Sequence, residues 1–199
     1  MPQLDFFYFI GSTYTYLSVM RIDEVARRAG VTVNWRPFNG RGVMTEHPFH
    51  GKPVKCAYMW RDVERRATRL GIGWNGVPPY PIERPNLPNR IAVAAAREGW
   101  APEYSKAAYR AWFSAHKNLE DEKALSEVLA SIGKDPAAVI ALANSEDIRQ
   151  LFASETEAAR MLGIFGAPTF AVGKEIFWGD DRMEEAIEWA TRETQEKSQ

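Results

Sequence analysis

Cysteine is nearly missing from this sequence. Cys56 stands alone among 199 residues, which excludes an intramolecular disulfide and any dithiol redox cycle within one chain. Histidine is almost as scarce. His47, His50 and His116 are too few and too scattered for a metal motif, and neither HExxH nor a paired CxxC occurs, so no metal is expected. His47 and His50, in the segment EHPFHGKP, read as parts of a solvated loop rather than a ligand pair. An excess of charge of one sign is lacking too. Lys plus Arg number 25 against 26 Asp plus Glu, which removes the overall field that nucleic acid or an anionic membrane would attract. Apolar runs fall far short of the roughly 20 residues of a membrane span, and no basic segment precedes the apolar stretch of MPQLDFFYF. A soluble, cytoplasmic protein with neither nucleic-acid nor membrane partners is expected. What is present is the composition of a globular fold with a real core, 45% hydrophobic and 26% charged. The length suits one domain, or one domain carrying a large insertion.

Hydrophobic patterning divides the chain. QLDFFYFI (3–10) is apolar with little alternation, as in a strand buried on both faces. After GSTYTY, the apolar residues Leu17, Val19, Ile22, Val25, Ala26 and Ala29 predict one helix, with Arg27 and Arg28 in its last turn and Gly30 beyond it. VTVNWRPF (31–38) alternates and stops at Pro37, which predicts a second strand and completes a βαβ unit. From about 54 to 162 the segments have helical period and helical punctuation. Helices are expected over 54–70, 89–98, 102–116 and 120–132, then from an N-cap at Asp135 before Pro136, and from Ser145 or Glu146 to just before Gly163. TFAV and EIFW around Gly173-Lys174 predict a hairpin. Asp180 and Asp181 open a last helix, RMEEAIEWATRE, and the polar tail TQEKSQ is expected to fray.

The order βαβ, helical insertion, ββα is that of an α/β, thioredoxin-like fold. Residues 1–45 and 163–199 form its thioredoxin-like part and 46–162 an all-helical insertion, within a single unit. That architecture brings Ser12, at the first strand-to-helix corner, toward the Ala167-Pro168-Thr169 turn. Two readings of Ser12 stand side by side. As an N-cap, Ser12 or Thr13 contributes about 1 kcal/mol to the helix. As a donor to a bound thiolate, the hydroxyl contributes roughly 1.5 to 3 kcal/mol, with up to about 1 more from the helix dipole. Together these could ionise about half of a bound thiol at neutral pH. Asp180 and Asp181 likewise read as a capping pair or as charged ligands. Cys56 reads as a structural thiol, and ERRATR (64–69) as a solvated helix face.

STYT stands where DsbA-type oxidoreductases carry CPxC, with hydroxyl residues in both cysteine positions, so disulfide exchange is removed. Together with KCAYMWRDVERRATRLGI, GIFGAPTF and FWGDDR, the chain resembles the 2-hydroxychromene-2-carboxylate isomerases and their relatives, the kappa-class glutathione transferases, over nearly its whole length. The resemblance implies glutathione as cofactor, with Ser12 facing its sulfur as the catalytic residue. It implies that the backbone of Ala167, ahead of a cis Pro168, pairs with the cysteinyl part as an added strand would. Trp178, Gly179, Asp180 and Asp181 then hold the γ-glutamyl end, Asp181 taking the ammonium and free N–H groups the carboxylate. Lys52, Tyr80 and Arg41 are candidate substrate contacts, with Tyr14, Tyr16 and Trp178 as further pocket aromatics. Thr45, where isomerases tend to carry a lysine, and Thr13, where proline is commoner, depart from the family pattern. The implied reaction is reversible addition of the glutathione thiolate to an unsaturated aromatic keto acid, rotation about the bond made single, and elimination. The alternatives are a kappa-like transferase or peroxidase, which consumes glutathione, and a non-catalytic binding protein. Relatives of this kind are often dimers, so a homodimer is expected.

Overall fold

The computed structural model describes residues 1–46, 48–49 and 51–196. His47, His50 and the last three residues of the TQEKSQ tail lie outside them. Within the described residues, strand β1 (Gln3–Tyr8) pairs in parallel with β2 (Thr32–Pro37) and antiparallel with β3 (Thr169–Val172), which pairs antiparallel with β4 (Glu175–Trp178), giving the order β2-β1-β3-β4. β1 is therefore central, as its nearly continuous apolar run requires. Its side chains alternate between two covered faces. Leu4, Phe6 and Tyr8 share one core with Phe170 and with Met183, Ala186 and Ile187, while Phe7 joins Phe38, Ala171 and Ile164 on the other side. Phe6 faces Trp35 and Phe170 across the ladder, edge-on to the first at 5.1 Å and stacked on the second at 5.3 Å.

Between β1 and β2 the single expected helix is two, α1 (Thr15–Val19) and α2 (Ile22–Arg28). Arg21 leaves helical geometry at φ −125°, and its Nε donates to the Leu17 carbonyl at 3.2 Å. The apolar spacing continues through this break, which hides it in the sequence. After β2 comes a short helix the pattern did not announce, α3 (Gly40–Val43), capped by the Asn39 side chain accepting from the Gly42 N–H at 3.1 Å.

The helical block holds α4 (Pro53–Arg69), α5 (Asn86–Glu98), α6 (Ala101–Phe113), α7 (Glu122–Ser131), α8 (Pro136–Ala143) and α9 (Glu146–Met161). Asp135 and Ser145 cap α8 and α9 as expected. α5 begins three residues earlier than predicted, because Pro88 falls in its first turn, where a missing N–H removes no intrahelical bond. α9 crosses the second face of the sheet through Ala159, and the first-face core runs on into α4, α5 and α6. The last helix, α10 (Met183–Glu196), starts after a 3-10 turn at Asp180–Arg182 rather than at the aspartates, and it continues into the polar tail. No helix among the described residues is long and apolar enough to cross a membrane.

Candidate active site

The corner after β1 is held by side chains from the helical block. Gly11, at φ +129°, takes a conformation that residues with a Cβ rarely adopt. The neighbouring Ile10 is gripped by Asn89 of α5, whose Oδ1 accepts from the Ile10 N–H at 2.7 Å and whose Nδ2 donates to the Ile10 carbonyl at 2.9 Å. The Tyr109 hydroxyl of α6 is shared between the carbonyls of Phe9 and Ser12, at 3.0 and 2.9 Å. So fixed, Ser12 directs its Oγ to the Ala167 carbonyl, to which it donates at 2.8 Å across 155 residues. The Ala167-Pro168 peptide bond is cis, and the turn is closed by Gly179 N–H donating to the Pro168 carbonyl at 2.9 Å and by the Thr169 hydroxyl donating to the Gly166 carbonyl at 2.8 Å. Neither hydroxyl of the corner caps the helix. The N-cap of α1 is Tyr14, without a side-chain bond, and Thr13 Oγ1 donates to Met59 Sδ at 3.1 Å.

Beside the Ser12–Ala167 contact opens a cleft of about 390 Å³. Tyr14, Tyr80 and Trp178 line it, as do Arg41 and Lys55. Trp178 stacks obliquely on Phe165 at 4.9 Å, and both rings are more than half exposed. They come together because Gly166 carries no Cβ, which would stand 2.6 Å from the Trp178 Nε1. Tyr80 packs edge-on against Trp60 at 5.1 Å, and burial pushes its phenol up to about 12, so it stays protonated through the neutral range. Burial and the Asp62 carboxylate, which accepts from the Tyr14 hydroxyl at 3.0 Å, likewise raise Tyr14. Arg41 projects from α3 and is anchored by donating to the Ile82 and Glu83 carbonyls. Lys52 is not among the lining residues, but it pairs at 2.5 Å with Glu46, which is. Lys55, one helical turn on at the start of α4, stands in the cleft instead, 5.5 Å from the Phe49 ring centroid.

The aspartate pair is split by burial. Asp181 is exposed, and its Oδ1 lies 2.5 Å from where a Cβ on Gly179 would sit, which glycine at φ +112° permits. Asp180 is 1% exposed, and neither aspartate is among the residues that line the cleft. Arg66 Nη2 stands 2.7 Å from its Oδ2, but out of line for a hydrogen bond, and Arg21 Nη2 donates to its backbone carbonyl at 3.4 Å. Burial lifts the Asp180 carboxyl to about 7 against the pull of Arg66 and Arg21. Arg66 sits in the ERRATR run read as a solvated face. Its signal was positional, because it lies three and seven residues from Val63 and Met59 on the apolar side of α4. Among the described residues, no group of His, Cys, Asp or Glu is placed to hold a metal ion, and Cys56 is a half-buried free thiol on α4.

Residues 3–188 match the family model of the DSBA-like thioredoxin domain. The chain belongs to that family. Within it, the chain is similar to 2-hydroxychromene-2-carboxylate isomerases of Sphingobium xenophagum, at 24% identity over 91% of this chain and 94% of the relative, and of Pseudomonas putida, at 25% over 90% of each. The resemblance read from the sequence motifs therefore stands, and with it membership among enzymes. A solved 2-hydroxychromene-2-carboxylate isomerase superposes with a TM-score of 0.86 over 98% of both chains at 22% identity. The cytosolic disulfide reductase DsbM from Pseudomonas aeruginosa, solved with GSH, superposes at 0.65 over 98% of this chain and 99% of its own, at 18% identity. These likenesses establish the DSBA-like fold.

Proposed function

We propose that the protein is a glutathione-dependent isomerase of the 2-hydroxychromene-2-carboxylate isomerase type, acting on an unsaturated aromatic keto acid. The observation that carries this reading is the 2.8 Å contact between Ser12 Oγ and the Ala167 carbonyl at the edge of an open cleft. The corner meets the cis-proline turn, and the space beside them is not filled by the protein's own side chains. A tripeptide suits what is there. An extended backbone can lie along Ala167, and the exposed Asp181 carboxylate, just beyond Trp178 of the cleft wall, is available to an ammonium group.

Bound glutathione would supply a thiolate that adds to the substrate double bond and later leaves. The task of Ser12 is to stabilise that charge. Its hydroxyl has one proton, given to the Ala167 carbonyl in this structure. Rotation about χ1 turns the proton to the sulfur, and the carbonyl then accepts from a peptide N–H laid along the turn. Lys55 and Arg41 place positive charge where a keto acid carboxylate would lie, and Tyr80, held neutral, offers a hydrogen bond without competing charge. The resemblance that points to this chemistry also points to a cytoplasmic homodimer.

The ultraviolet thiolate band of bound glutathione tests the role of Ser12. Wild type should show it below pH 7 and Ser12→Ala should not, and equal bands would remove Ser12 from the mechanism. Glutathione should be unconsumed over many turnovers, whereas stoichiometric loss would make the enzyme a transferase.

A further inference from the structure

A second pocket, of about 360 Å³, opens between α5 and α9 and shares no lining residue with the cleft. Three arginines line it, Arg90 from α5 with Arg149 and Arg160 from α9, together with the polar Asn39 and Asn86. No carboxylate is among its described lining residues. Like charges gathered on one concave wall repel one another, and that cost is offset when an anion enters. Two of the arginines are already committed on one side. Arg160 donates to the Gly42 carbonyl at 2.7 Å and pairs with Glu157 at 3.1 Å, and Arg90 Nη2 donates to Asn144 Oδ1 at 2.7 Å. Arg149 is exposed and forms no salt bridge among the described residues. Arg90 Nε is buried with no hydrogen-bond partner among the described residues, an uncommon condition for a charged donor. Burial and the Arg149 charge both disfavour the charged form of Arg90.

We propose that this pocket is a binding site for a small dianion, a phosphate monoester or a dicarboxylate, with Arg90 and Arg149 as its principal donors. Guanidinium forks match both oxyanions bidentately. Arg90 and the exposed Arg149 both line the pocket and bring their guanidinium N–H donors to its wall. The apolar Phe152 and Ala153 at the pocket wall leave room for a short carbon skeleton beside the charged group. The site is separate from the glutathione cleft and does not depend on the isomerase reading.

Titration calorimetry on the full chain at constant ionic strength tests the proposal, with inorganic phosphate in one arm and malonate in the other. One saturable site is expected in at least one arm, and the arm that saturates identifies the class of anion. Arg149→Gln, a change at an exposed position, should weaken binding tenfold or more, and Arg90→Gln should do the same. Arg41→Gln, which alters the cationic wall of the cleft, should leave this binding in place. Absence of saturation in both arms would overturn the site. So would binding that survives Arg149→Gln and Arg90→Gln, or binding lost with Arg41→Gln alone.

Discussion

Asn89 illustrates how one buried side chain can hold the corner that carries Ser12. It is 2% exposed and satisfies both backbone groups of Ile10 as well as the Pro85 carbonyl, the last at 2.7 Å. Truncation to alanine would leave buried backbone groups unpaired at about 1–3 kcal/mol each. Asn89→Ala should therefore lower the unfolding free energy by about 2–4 kcal/mol in urea titration, and a loss below about 0.5 kcal/mol would mean that water replaces the amide. Residues of this kind set the limit of what a sequence discloses about a site. Ser12 and the Ala167-Pro168 turn were legible because each sits in a local motif, at a strand end and ahead of a hairpin. Asn89, Tyr109 and Arg66 act across the fold on partners 79 to 114 residues away. On its own helix, each looks like an ordinary member.

Among the elements, α3 supplies Arg41 and Val43 to the cleft and depends on close approach. A Cβ on Gly40 would stand 2.0 Å from the Phe9 ring Cδ1 and 2.8 Å from its Cγ, so the ring as a whole must move rather than its far edge. Phe9 also lines the cleft. Gly40→Ala should therefore displace Phe9, lower stability by about 1–3 kcal/mol and raise KM for a bulky substrate. An unchanged KM, with unfolding also unchanged, would show that the corner has slack. The four strands, the capped starts of α8 and α9 and the hairpin were all legible in the sequence, since alternation, Asp-Pro and Gly-Lys are local signals. The break between α1 and α2 was not, because an arginine side chain bonding back to its own helix leaves the apolar period intact. Nor was α3, four residues long and too short for any period to register.

At the scale of the molecule, Asp180 links the two parts of the fold. It follows β4 at the thioredoxin end and meets Arg66 from the helical block. Its carboxyl titrates near 3.8 when unperturbed and near 7 in the fold. The folded state holds the proton more tightly, so this group's contribution to stability is fully present below about pH 4 and is lost as pH rises through about 7. Each pH unit between costs on the order of 1 kcal/mol. Measured by urea unfolding across pH 4–8, the stability of wild type should fall relative to Asp180→Asn up to about pH 7 and then run parallel to it. Curves parallel throughout would mean that Arg66 keeps the carboxylate ionised. The sequence by itself determined the order of strands and helices, the loss of disulfide chemistry and the hydroxyl that replaced it, because periodicity and residue type are properties of short segments. Only the tertiary structure decided that Lys55 rather than Lys52 reaches the cleft, that Asp180 is buried while Asp181 is exposed, and that three arginines share a second pocket. Those outcomes depend on which face of a helix meets which neighbour, and burial and charge are set by atoms remote in the chain.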